Sequence, residues 1–102
     1  MALRHAPWQE DRATPRDETW RRVRVADAQG ARLPVLVVNL SPHGAMARVD
    51  EPVATGDRLL IDLPVVGPRA AEVRWSLGGR IGCRFEVAIP AEEYPRVLAM
   101  MR

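Results

Sequence analysis

From Trp20 onward, apolar and polar positions alternate with period two along most of the chain, the pattern of strands with one buried face. In Trp20-Arg21-Arg22-Val23-Arg24-Val25, Val23 and Val25 project to one side and Arg22 and Arg24 to the other. Ala26 to Gly30 reads as a turn and Arg32 to Asn39 as a second strand. Pro34 has no N–H for a ladder, so it belongs near that strand's start or on an edge. The turn formers in Asn39-Leu40-Ser41-Pro42-His43-Gly44 precede a third strand, Ala45 to Val49. A loop through Glu51-Pro52 and Thr55-Gly56-Asp57 leads to a fourth, Arg58 to Leu63. Gly67-Pro68 marks a turn before the fifth, Ala70 to Ser76, where Ala71, Val73 and Trp75 should face inward and Glu72 and Arg74 outward. Leu77-Gly78-Gly79 is a hairpin turn. In the sixth strand, Arg80 to Val87, Ile81, Cys83, Phe85 and Val87 share one face. The buried set predicted from this alternation is Val23, Val35, Val37, Ile61, Val73, Trp75, Ile81 and Phe85.

Short strands with turn signals this closely spaced predict an all-β fold, a six-stranded antiparallel β-barrel, because closure removes exposed edges. After Pro90, Tyr94, Val97, Leu98 and Met101 recur at helical spacing, so a short C-terminal helix should begin near Pro95. Residues 1–19 hold Pro7, Pro15, four acids and only scattered apolar side chains, the composition of a flexible N-terminal arm. Residues 20–102 would form the barrel and its helix. The total of 102 residues suits one domain with one modest core.

Composition narrows the chemistry. The single cysteine, Cys83, leaves no intramolecular disulfide and no cysteine cluster for a metal. No apolar run approaches the ~18 residues of a membrane helix, and the opening residues meet polar positions before a secretory apolar region can form. A cytoplasmic protein without membrane contact is expected. The net charge of +2 is too small to mark a nucleic-acid binder, but it is unevenly spread. Residues 20–49 carry five Arg against one Asp. Every basic residue in the chain is arginine, whose planar fork suits phosphate and guanine.

Catalytic patterns are poor. His43 lies two residues from Ser41, but no G-x-S-x-G elbow surrounds the serine, and two histidines with one cysteine make no metal site. No enzyme activity, metal or cofactor is expected. Trp75 suits the core, Trp20 either core or rim, and Trp8 falls in the arm.

Two motifs stand out together. Asn39-x-Ser41-x-x-Gly44 falls at the junction of the second and third strands, and Arg12-Ala13-Thr14-Pro15-Arg16 places R-x-x-x-R in the arm. The arginine motif is weak alone: shuffling this composition produces about two matches, and Arg80/Arg84 is the second one here. The serine motif is specific, with on the order of 0.01 matches expected by chance. With these motifs, the Val73-Arg74-Trp75 segment and the late Ile81-Gly82-Cys83-Arg84-Phe85, the chain from about residue 12 to 90 resembles the PilZ family, small β-barrels that bind cyclic di-GMP.

The resemblance implies cyclic di-GMP as ligand and Arg12, Arg16, Asn39, Ser41 and Gly44 as its site. The chemistry of these side chains fits. An arginine fork pairs a phosphate or the guanine O6/N7 edge and can stack on a purine. Asn39 offers a donor and an acceptor to a base edge, and Ser41 can hold the turn through nearby backbone. Gly44 would either take a positive φ or let the ligand approach the backbone. Asp11, Asp17 and Glu18 flank the arginines and could pair them in the free state, lowering affinity. The expected function is a cyclic di-GMP receptor that relays its signal by ordering the arm against a protein partner. The alternatives are an adaptor of the same fold that has lost the nucleotide, and a basic barrel holding single-stranded nucleic acid through Arg22 and Arg24. The second is disfavoured by the few aromatic residues available for stacking.

Overall fold

The computed structural model describes residues 16–102. Arg12, Trp8 and most of the expected arm lie outside the described residues. Six strands, β1 (Asp17–Asp27), β2 (Arg32–Ser41), β3 (Gly44–Val49), β4 (Arg58–Leu63), β5 (Gly67–Leu77) and β6 (Arg80–Phe85), precede helix α1 (Tyr94–Met101). The strands close into an antiparallel barrel in the order β1-β2-β3-β6-β5-β4. Val25 opposite Ile61 completes the ring between β1 and β4. The inward positions are those that the alternation selects: Val25, Val35, Val37, Ile61, Val73, Ile81, Cys83 and Phe85 are all buried. Helix α1 packs on the core, with Val97 and Met101 fully buried in the same cluster as Ile89.

Several boundaries differ from the sequence reading, each for a local reason. Strand β1 begins at Asp17 rather than Trp20, because Asp17 and Glu18 pair with Leu40 and Asn39 at the far end of β2. The β4–β5 reversal uses residues 64–66, with Leu63 opposite Gly67, so Gly67 opens β5 instead of sitting in the turn. Pro68 follows at no cost to the ladder. It faces β4 alone, since β6 reaches only as far as Ala71 opposite Phe85. Strand β6 ends at Phe85, and Val87 beyond it is 65% exposed. The inward phase of a strand has no hold on a residue past the last rung. Val23 is half-buried against the core.

Trp75 is the largest departure. A β-bulge between Val73 and Trp75 inserts Arg74 into β5, so Val73 opposes Cys83 while Trp75 opposes Gly82. The extra residue shifts the strand's phase by one, and the indole goes to the outer face with Gly82 instead of into the core.

These assignments set a stability contrast. Phe85→Ala removes a buried ring and should cost about 3–5 kcal/mol. Val87→Ala, on an exposed side chain, should change stability by less than about 0.5 kcal/mol. Denaturant titration of both variants checks the pair, and a loss below about 1 kcal/mol for Phe85→Ala would contradict the core assignment.

Candidate functional site

The barrel's register brings the Asn-x-Ser-x-x-Gly segment onto the outer face. Ser41 pairs with Gly44 across the two-residue turn Pro42-His43, and Asn39 pairs with Met46. A bulge between Val37 and Asn39 on β2 sends Leu40 inward, where it is fully buried, and Asn39 and Ser41 outward. Met46 in turn opposes Gly82 and Gly44 opposes Arg84. One cross-strand row therefore reads Glu18, Asn39, Met46, Gly82 and Trp75, and its neighbour reads Ser41, Gly44, Arg84 and Glu72. A third bulge, between Glu18 and Arg21 on β1, lies at the same level. The buried Thr19 stands within it and donates its hydroxyl to the Val37 carbonyl at 3.0 Å. Bulges re-aim side chains, and these three border one cleft.

That cleft is lined by Arg16, Asn39, Ser41, Gly44, Met46, Arg74, Trp75 and Gly82, floored by Leu40, Ala45 and Cys83. Four of the five residues singled out in the sequence thus meet in one place, and Arg12 lies outside the described residues. The cavity proper is about 10 Å³, the space of roughly one water molecule. A ligand of nucleotide size would lie across its mouth.

Each wall has a physical cause. Arg16 Nη1 donates to Met46 Sδ at 3.2 Å, which seats the guanidinium over the cleft. Asn39 is half-buried and its Oδ1 is fully enclosed with no hydrogen-bond partner among the described residues. A buried acceptor left unpaired costs on the order of 1–3 kcal/mol. Ser41 is buried, and its Oγ accepts from the His43 backbone N–H at 3.2 Å. The turn is then clamped from outside: Phe85 N–H donates to the His43 carbonyl and Ile89 N–H to the Pro42 carbonyl, both at 2.8 Å.

Gly44 corrects the sequence reading. Its φ is not in the left-handed region, and a Cβ there would stand 2.2 Å from the Cys83 carbonyl oxygen. Glycine is required here because β3 presses on the β6 backbone, not for a positive φ. Asp17 is a second correction. Its carboxylate meets the Tyr94 hydroxyl at 2.6 Å and Arg102 at 3.9 Å. Side chains alternate across a strand, so Asp17 shares the inner row with Leu40 while Glu18 shares the outer row with Asn39.

Arg74, Trp75 and Gly82 line the cleft without belonging to either motif. Arg74 forms no salt bridge with a described residue. Gly82 makes room for the indole: a Cβ would lie 2.0 Å from Trp75 Nε1. The available signal was a glycine in the middle of the cleanest strand, which often marks close approach of another group. Cys83 is an unreactive part of the floor, since burial pushes its thiol up to about 12 and thiolate is the reactive form. Among the described residues there is no cluster of His, Cys, Asp or Glu able to hold a metal, and no helix is long and apolar enough to cross a membrane.

The family model described as PilZ domain matches residues 10–101. No curated protein matches the chain. With nearly its whole length covered, the chain belongs to the PilZ domain family, a family of cyclic di-GMP-binding domains.

The two glycines should respond differently to a methyl group. Gly44→Ala meets backbone that cannot retreat and should cost about 1–3 kcal/mol, read by denaturant titration. Gly82→Ala meets a side chain, so it should displace the Trp75 ring and move its indole N–H resonance in an NMR spectrum while the core resonances stay in place.

Proposed function

We propose that this PilZ-domain protein is a receptor for cyclic di-GMP, held by Arg12, Arg16, Asn39, Ser41 and Gly44, with Arg74 and Trp75 completing the site. The observation that carries this reading is the convergence of Arg16 and the Asn39–Gly44 segment on one cleft beside a half-buried indole. The ligand has two phosphodiester charges and two guanines. Arg16 and Arg74 supply planar forks for phosphate or for the guanine O6/N7 edge. Asn39 offers an amide donor and acceptor to guanine's pairing edge. Trp75 supplies a π-face for a purine. Ser41 keeps the turn in shape rather than contacting the base.

In this reading the protein binds without catalysis. The arm carrying Arg12 closes over the ligand and so changes the surface that a protein partner reads. The next outer row suits such contact. Arg22, Arg48, Arg80 and Leu77 stand in register beside the cleft, in one row with the buried Leu36. Trp20 is exposed there, with the Arg48 guanidinium 5.9 Å from its ring centre. A cationic face with an exposed indole fits an acidic protein surface.

Calorimetric titration at one fixed salt concentration tests the receptor reading. Wild type should bind cyclic di-GMP and discriminate against cyclic di-AMP, which has the same phosphates without guanine's O6 acceptor and N2 donor. Asn39→Ala should weaken binding about tenfold to a hundredfold, the loss of one enclosed hydrogen bond. Arg12→Ala or Arg16→Ala should abolish binding with stability almost unchanged, and Arg80→Ala and Arg84→Ala should affect binding far less. Indifference to Asn39→Ala and to the base, with a steep loss as salt rises, would indicate phosphate attraction alone. Absence of binding in wild type would leave the adaptor that has lost its nucleotide.

A further inference from the structure

The Tyr94 hydroxyl lies where the two halves of the cleft are joined. Asp17 and Leu40 are cross-strand partners on the last rung of the β1–β2 ladder. Tyr94 Oη stands 2.6 Å from Asp17 Oδ2 and 3.0 Å from the Leu40 carbonyl oxygen, within donating distance of both. Asp17 directly follows Arg16, and Leu40 separates Asn39 from Ser41. The tyrosine therefore grips, from inside, the two backbone segments whose outward side chains form the cleft. The contact is long-range, joining the C-terminal helix to strands 54 and 77 residues earlier. Arg102 at 3.9 Å from Asp17 and Arg21 Nη1 donating to the Met100 carbonyl at 3.1 Å add further ties between β1 and the end of α1. Burial and the adjacent Asp17 carboxylate push the tyrosine's ionisation well above its ordinary range, so the proton stays in place at every physiological pH.

We infer that Tyr94 is a positioning residue of the nucleotide site: its hydroxyl holds the Arg16 and Asn39–Ser41 segments in register with each other and couples helix α1 to ligand binding. This rests on the receptor reading above. Coupling between two sites is reciprocal, so a ligand that bridges Arg16 and Asn39 tightens the rung Tyr94 grips and stabilises the docking of α1. The helix is then a second element, besides the arm, on which occupancy of the cleft is registered.

Tyr94→Phe removes the hydroxyl and leaves the ring. It should weaken cyclic di-GMP binding on the order of tenfold, an ordinary coupling magnitude. Asp17→Asn keeps the backbone and weakens the acceptor, so it should lower affinity in the same direction. The double variant should be little worse than Tyr94→Phe, because both changes remove one interaction. Val25→Ala, a core truncation where β1 meets β4, controls for stability loss and should leave affinity unchanged. Hydrogen exchange supplies a readout that a merely structural role would not move: cyclic di-GMP should slow exchange across residues 94–101 in wild type and fail to do so in Tyr94→Phe. If wild type binds the nucleotide while Tyr94→Phe binds equally well and α1 gains the same protection, the inference falls and the receptor reading stands. If wild type does not bind, both fall. Should Tyr94→Phe fold poorly, Asp17→Asn against Val25→Ala decides the question alone.

Discussion

The arrangement depends on how closely β3 can lie against β6. At Gly44 the strands approach so tightly that a single methyl group would overlap the Cys83 carbonyl. This contact sets the β2–β3 turn against the exit of β6, where the Phe85 and Ile89 amides seize the carbonyls of His43 and Pro42. A turn held at both carbonyls has little freedom left, and Ser41 Oγ fills its inner amide. The motif residues are consequently presented from a turn held on several sides.

Register does the rest. An unbroken barrel would offer strict alternation, with every second side chain inside. Bulges on β1, β2 and β5 break that alternation at one level. The consequences are local and additive. On β2, Leu40 goes in while Asn39 and Ser41 go out. On β5, Trp75 leaves the core for the cleft, and Gly82 on the facing strand makes the space it occupies. The glycine and the tryptophan act as one feature, since neither position makes sense without the other.

The inner and outer faces of the β1–β2 end are used for different purposes. Outward, Arg16, Asn39 and Ser41 face the cleft. On the other side, the Asp17 carboxylate and the Leu40 main-chain carbonyl both meet Tyr94 from the C-terminal helix. One rung of sheet thus separates the cleft from a tertiary clasp. The acid that adjoins Arg16 in the chain is thereby directed away from it, to Tyr94 and Arg102.

Read alone, the sequence determined the strand count, the antiparallel barrel, the C-terminal helix and most of the core. Those follow from period-two and helical spacing, which are local properties of the chain. Its short motif also singled out Asn39, Ser41 and Gly44, because three residue types at fixed spacing carry information that composition cannot supply. The destination of Trp75, the start of β1 at Asp17, the reason for Gly44 and the tie from Tyr94 to Asp17 were decided by the tertiary structure. Each depends on which residue stands opposite which across strands, and a single bulge resets that pairing for everything beyond it. Alternation along one strand records where a side chain points relative to its neighbours. Only closure of the barrel decides what it meets there.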